Sequence, residues 1–161
     1  MSDDLVILTL TRIEASHLTD LVGQFQQLLS EEDPSDDPAM ARLTPDIYPD
    51  DEEASNDLHE VTRSELLGRR ARDAATVRAD LDRIEEGSVG DALSPVDVSI
   101  AGSHLDPWLR TLAALRLVLA SRLGISDDTE ASDDDPAYAL YEWLGFRLEG
   151  LVQVAEQRDD L

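Results

Sequence analysis

The sequence predicts a mainly α protein, a single-domain helical bundle of four main helices plus one short helix, with a minor two-stranded β ribbon. Three observations predict this class. Long stretches carry apolar residues at the three- and four-residue spacing of a helix face. Two short stretches are β-prone instead. Acidic stretches at 31–41 and 126–135 indicate loops between helices, within one domain that covers residues 1–161.

The N-terminal part is predicted to hold a strand followed by a helix. Residues 5–10 form a short apolar run, typical of a strand. Thr11 and Glu14 have the spacing of a capping box, in which hydroxyl and carboxylate each accept a backbone N–H of the first helical turn. A helix is therefore expected to begin here. Its apolar stripe is Leu18, Leu21, Val22, Phe25, Leu28 and Leu29.

The middle of the chain is predicted to contain a short helix and then a separate long one. Asp50 marks the start of the short helix, which is expected to end near residue 61. Thr62 and Glu65 form a second capping box. The long helix is therefore expected to begin there and to end near residue 86.

The C-terminal half adds the second strand and the last two helices. Residues 96–100 alternate apolar and polar side chains, which indicates a half-buried strand that pairs with the first. Asp106 and Pro107 supply an acceptor at the N-cap and proline at the first helical position. Residues 108–123 are expected to be a buried central rod, with the acidic side chains outside. Pro136 begins the last helix by the same signal.

The charge excludes several classes of function. The chain has 13 Arg and Lys residues, all of them Arg, and 36 Asp and Glu residues, so its net charge is 13 − 36 = −23. This disfavours direct binding to nucleic acid and to anionic membranes. The absence of cysteine excludes disulfides and thiol catalysis. With no signal-peptide core and no membrane-length apolar run, the expected location is the cytoplasm.

Two patterns resemble metal sites without completing one. Glu14 and His17 have the Glu-x-x-His spacing of half a di-iron site, but His59 and His104 have no Glu three residues earlier. The acidic run 127–135 lacks the Gly and the closing Glu of a calcium loop. A partly exposed histidine and a solvated loop are the simpler interpretations. No metal, no cofactor and no catalytic residue is therefore assigned.

The arginines give the remaining candidates. The cluster Arg69–Arg72 is interpreted as part of a helix surface held by ion pairs, because Glu65 lies four residues before Arg69 and Arg78 four residues before Asp82. The alternative is that the cluster docks onto an acidic partner. Arg116 and Arg122 lie within the apolar central helix, where a buried guanidinium needs a carboxylate, and one of the two is expected to pair with an acid of residues 46–53. The structural or interaction candidates are Arg116, Arg122, Asp46, Asp50, Tyr48 and Trp108.

Three stretches together carry a resemblance: residues 42–51, 108–125 and 141–144. They resemble an uncharacterised actinobacterial family, the domain of unknown function number two thousand and seventeen, from the first helix to about Val152. Ala114 stands where the family has an Asn, so a role of that amide does not carry over. The resemblance implies no established activity. Some members are labelled as transcriptional regulators, and the family's genes tend to lie beside that of ClpS, an adaptor of the Clp protease.

The favoured hypothesis is a non-catalytic interaction or regulatory module that binds a protein partner, with a link to Clp proteolysis implied by the resemblance. One alternative is a transcription-associated regulator or an acidic DNA mimic. A second is a small helical metal-binding enzyme. Self-association as a homodimer stays open, because wide apolar stripes often leave one helix face for a second copy.

Overall fold

The computed structural model describes residues 5–30, 52–84, 92–123 and 136–159, with side chains from residue 64 in the second range. It confirms the mainly α class, with four helices and a two-stranded antiparallel ribbon in the described part. In chain order the elements are β1 (Leu5–Thr11), α1 (Arg12–Ser30), α2 (Glu52–Asp82), β2 (Pro95–Ala101), a 3₁₀ turn (Gly102–His104), α3 (Leu105–Leu123) and α4 (Pro136–Asp159).

The first capping box forms as predicted. The Thr11 backbone N–H donates to Glu14 Oε1 at 2.8 Å, and the Glu14 N–H donates to Thr11 Oγ1 at 3.2 Å. These two hydrogen bonds satisfy N–H groups that have no partner within the helix. They fix the turn at which β1 becomes α1.

The predicted separation of a short helix from a long one is wrong. α2 continues without a break from Glu52 to Asp82, through Thr62 and Glu65. Thr and Glu are also tolerated in a helix interior, and no proline lies between residues 52 and 82 to interrupt the hydrogen bonding. The predicted short helix is therefore the first part of α2.

The ribbon has the predicted alternation. β1 and β2 pair antiparallel, from Leu5 opposite Ala101 to Thr11 opposite Pro95. Val6, Leu10, Val98 and Ile100 are buried on the inner face, and Leu5 and Ile7 are exposed on the outer face. The ribbon thus adds four apolar side chains to the same buried cluster that the helices share.

α3 lies between α2 and α4 in the bundle. Trp108, Leu112 and Leu115 are buried, and residues 116–119 are half-buried. The predicted rod is thus most deeply enclosed in its first half. The expectation that all acids stay outside is wrong, because Asp73 and Asp80 are buried and accept hydrogen bonds from α3 and the turn before it.

The predicted acidic loops at 31–41 and 126–135 lie outside the described residues, as do Asp46, Tyr48 and Asp50. Among the described helices, none combines the length and the apolar character needed to cross a bilayer.

Candidate functional site

α1 and α4 leave an open groove of about 560 Å³ between them, here called the α1–α4 groove. This volume falls in the range of pockets that bind ligands or partner side chains. The α1 side is lined by Glu14, His17, Asp20, Leu21 and Gln24. The α4 side is lined by Pro136, Ala137, Ala139, Leu140 and Trp143.

The groove combines apolar and acidic surface. Leu21 and Trp143 pack against the buried core and give the groove an apolar base. Glu14 and Asp20 line the same groove, and none of its lining residues within the described ranges is Arg or Lys. The groove therefore suits a partner segment that has an apolar face and positive charge.

Glu14 joins α1 to α4 at one end of this groove. Its Oε1 accepts the Thr11 N–H, while its Oε2 accepts the indole N–H of Trp143 and lies 3.6 Å from Arg147 Nη2. Burial by itself raises the pKa of the Glu14 carboxyl, but the hydrogen bonds from Thr11 and Trp143 and the charge of Arg147 outweigh it. The pKa is therefore lowered from its ordinary value, and Glu14 is held as a carboxylate.

Glu14 and His17, the pair with the spacing of half a di-iron site, lie together in the groove, but the Glu14 carboxylate binds other protein groups. Glu14 and His17 both line the α1–α4 groove, and the Glu14 carboxylate serves the capping box, Trp143 and Arg147. Within the described ranges, no three His, Asp or Glu side chains lie close enough together to hold a metal ion.

Asp80 is the centre of a buried polar cluster between α2 and α3. Its Oδ2 accepts the Trp108 indole N–H at 2.9 Å, and His104 Nδ1 lies 3.0 and 3.1 Å from its two oxygens. The Asp80 side chain is 1% exposed, so these donors replace the water that it has lost. Trp108, a candidate from the sequence, is therefore an anchor of the core.

A second buried carboxylate lies two helical turns earlier on α2. Asp73 binds the Arg110 guanidinium with two hydrogen bonds, from Nε at 2.8 Å and from Nη2 at 3.1 Å. The hydrogen bonding to Asp73 raises the pKa of Arg110, although partial burial opposes it. Burial lowers the pKa of the nearby Arg70, and the charge of Asp73 partly offsets this.

The sequence reasoning missed Asp73, Asp80 and His104. The available signal was the seven-residue spacing of the two aspartates, which places them on the α2 face that also carries the buried Val77. Acids that recur within an apolar stripe indicate buried hydrogen-bond acceptors. Their partners on α3 are not indicated by that spacing.

Arg116 packs against α4. Its guanidinium lies over the Tyr141 ring, 4.1 Å from the ring centre, and its Nε donates to the Tyr141 carbonyl at 3.3 Å. Gly145 makes room for it, because an added Cβ there would lie 2.9 Å from the guanidinium. The pairing of Arg116 with an acid of residues 46–53 stays a prediction. Arg122 is exposed, so the premise of a buried guanidinium does not hold there.

The arginine cluster on α2 is largely at the surface. Arg69 and Arg72 are exposed. The predicted ion pair of Arg78 with Asp82 is present, with Nε 3.3 Å from Oδ1. The pair predicted between Glu65 and Arg69 is not among the ion pairs of the described residues.

In the part of the chain that the structure describes, the fold is a bundle of four helices with an open groove between α1 and α4. The family model described as a domain of unknown function, DUF2017, matches residues 1–155, and the chain belongs to this family. No curated protein and no solved structure matches the chain.

Proposed function

We propose that this protein is a cytoplasmic, non-catalytic interaction module that binds a basic, amphipathic helical segment of a regulatory partner in the α1–α4 groove. The observation that carries the proposal is the composition of the groove. An apolar base formed with Leu21 and Trp143 lies beside the exposed acid Asp20, in a chain of net charge −23.

The dimensions of the groove support a helical partner. Its α1 side extends over residues 14–24, which is about 15 Å of helix or three turns. A helix of that length presents apolar residues to the groove at three- and four-residue spacing and keeps basic residues at the rim. The overall negative charge speeds the encounter with such a segment and makes it sensitive to salt.

The link to Clp proteolysis belongs to this proposal. The resemblance implies that the family's genes tend to lie beside the gene of ClpS, which makes ClpS the first purified partner to titrate. Binding in the α1–α4 groove would then give the module a regulatory role in the delivery of substrates to the protease.

The experiment compares three forms of the full chain as bait in lysate of the native cell: wild type, Ala139→Trp and Ala75→Trp. Ala139 and Ala75 are both exposed helical alanines, but only Ala139 lines the groove. A tryptophan at position 139 fills the groove, and the same residue at position 75 controls for the added aromatic surface.

The proposal expects a partner that wild type and Ala75→Trp retain and Ala139→Trp loses. Titration of that purified partner is expected to show an affinity at least about tenfold lower for Ala139→Trp. Partners retained equally by all three forms would contradict the proposal, as would a partner whose bound segment is acidic.

A further inference from the structure

One edge of β1, with which no other strand of the described residues pairs, borders a second groove of about 530 Å³, here called the β1–α4 groove. β2 pairs with the opposite edge of β1. Four consecutive residues of β1, Val6 to Thr9, line the groove, although their side chains alternate between the two faces of the ribbon. The groove therefore follows the strand edge, where backbone N–H and C=O groups of β1 face outward.

The side chains of β1 do not protect this edge. Natural proteins shield an edge strand with charged side chains, with proline or with a helix packed over it, and here α4 is separated from the strand by the groove. The seven residues Leu5–Thr11 include no charged residue and no proline, whereas β2 carries Pro95 and Asp97. Ile7 and Phe146, on opposite walls of the groove, are 51% and 70% exposed. An uncharged edge beside exposed apolar side chains is suited to pairing with another strand.

We propose that the β1–α4 groove binds an extended segment of a partner protein, which adds to β1 as a third strand and carries alternating apolar residues with basic residues beside them. The lengths agree: the α4 wall from Phe146 to Val154 is about 12 Å long, and the β1 wall from Val6 to Thr9 about 10 Å. About four residues of an extended chain fill that distance.

The charges at the groove and of the whole chain favour basic residues in the bound segment. Arg147 is the one cation among the described residues that line the groove, and its Nη2 lies 3.6 Å from Glu14 Oε2. Glu149 is exposed at the groove and has no ion-pair partner among the residues that the structure describes. With the net charge of −23, this favours Lys or Arg in the segment.

A second copy of the chain is the less suitable occupant. In each copy α4 forms the opposite wall of the groove along this edge of β1. Pairing of two β1 edges would therefore bring a helix of each copy to the shared edge, and a groove of about 530 Å³ offers little room for that. An extended segment without a flanking helix avoids this conflict.

Gly150 provides the decisive variant. It lies on the α4 wall, and a Cβ added to it would meet no atom within 4 Å. The Cβ of Gly150→Leu therefore has room, and its side chain is expected to narrow the groove. Gly68→Leu is the matched control, because Gly68 lies in α2 and its added Cβ would be 3.8 Å from the nearest atom, Arg72 Nη1.

The experiment selects binders of the full chain from a display library of random ten-residue peptides and titrates the selected peptide as a synthetic ligand. Two further peptides carry N-methyl groups at odd or at even backbone positions. One of these sets removes the N–H groups that face β1, and the other removes N–H groups that face away.

We expect an alternating apolar pattern with Lys or Arg, an affinity about tenfold or more lower for Gly150→Leu, and an unchanged affinity for Gly68→Leu. Only one N-methylated peptide is expected to lose binding. Ala139→Trp is expected to bind normally, so this outcome is independent of the function proposed for the α1–α4 groove.

Four results would overturn the inference: no selected peptide, equal binding by Gly150→Leu, equal binding of both N-methylated peptides, or an acidic consensus. A dimer in sedimentation that Gly150→Leu dissociates would also overturn it and assign the edge to a second copy.

Discussion

Asp80 illustrates how a single buried carboxylate joins two helices of this bundle. It receives the indole N–H of Trp108 from α3 and a ring nitrogen of His104 from the turn before α3. A buried acceptor with good partners stabilises a fold modestly, whereas its removal leaves buried donors without partners and is costly.

Replacing Asp80 with alanine is expected to lower the free energy of unfolding by about 2–4 kcal/mol, because the Trp108 N–H is left buried and unpaired. Denaturation in urea, followed by tryptophan fluorescence and circular dichroism, measures the change. Asp82→Ala is the control, since its ion pair with Arg78 is exposed and is expected to contribute less than about 0.5 kcal/mol. Equal losses from the two substitutions would rule out the role assigned to Asp80.

Glu14 gives a prediction for pH dependence. Its pKa is lowered in the folded state, so the unfolded state binds the proton more readily. The stabilisation by Glu14 is therefore fully present above the ordinary pKa near 4.5 and is lost as the pH falls through the folded value. Glu14→Gln is expected to be less stable than wild type by about 1 kcal/mol at pH 7, with a smaller difference at pH 3.

Unfolding free energies of wild type and Glu14→Gln, measured at intervals from pH 7 to pH 3, test this sign. Glu142→Gln is the control, because Glu142 is an exposed residue of α4. A wild-type advantage over Glu14→Gln that stays constant, or grows, as the pH falls would contradict the account.

At the scale of elements, two glycines of α4 have different surroundings, and only Gly145 lies at the contact with α3. Gly145 faces the Arg116 guanidinium that lies over Tyr141, and Gly150 faces open space. Alanine in place of a helical glycine usually stabilises a helix by about 1 kcal/mol. At position 145 that gain is opposed, because the added methyl group displaces Arg116 from its ring and from its carbonyl acceptor.

Gly150→Ala is expected to raise the unfolding free energy by about 0.5–1 kcal/mol, and Gly145→Ala to raise it less or to lower it. In an Arg116→Met background the two alanine substitutions are expected to have the same effect. Thermal and urea unfolding of the single and double variants measure the coupling. Equal gains from both substitutions in the wild-type background would show that Arg116 does not constrain the helix contact.

The elements themselves were largely predictable, because their signals are local. The apolar stripes, the alternation of residues 96–100 and the Thr11–Glu14 capping box each depend on spacings within a few residues. The uninterrupted length of α2 was not predictable, because a Thr-x-x-Glu pattern alone does not distinguish a helix start from a helix interior.

At the scale of the whole molecule, the sites depend on contacts between distant parts of the chain. Trp108 and Asp80 are 28 residues apart, and Trp143 and Glu14 are 129 apart. Helical periodicity indicates which face of each helix is apolar, but it does not indicate which helices become neighbours or how closely they pack. Both grooves are consequences of that arrangement, which explains why the sequence led to the hypothesis of a binding protein but did not indicate the grooves that we propose as its docking surfaces.

The central claim is that the α1–α4 groove is where a partner docks. The most direct measurement places the photo-crosslinking residue benzoylphenylalanine at position 139, or at position 75 as control, and identifies the covalent adducts formed on irradiation of native cells. The account predicts an adduct specific to position 139, whose attached segment is basic and amphipathic and whose yield falls as salt is raised in lysate. The same adducts from both positions, or adducts with an acidic segment, would contradict it.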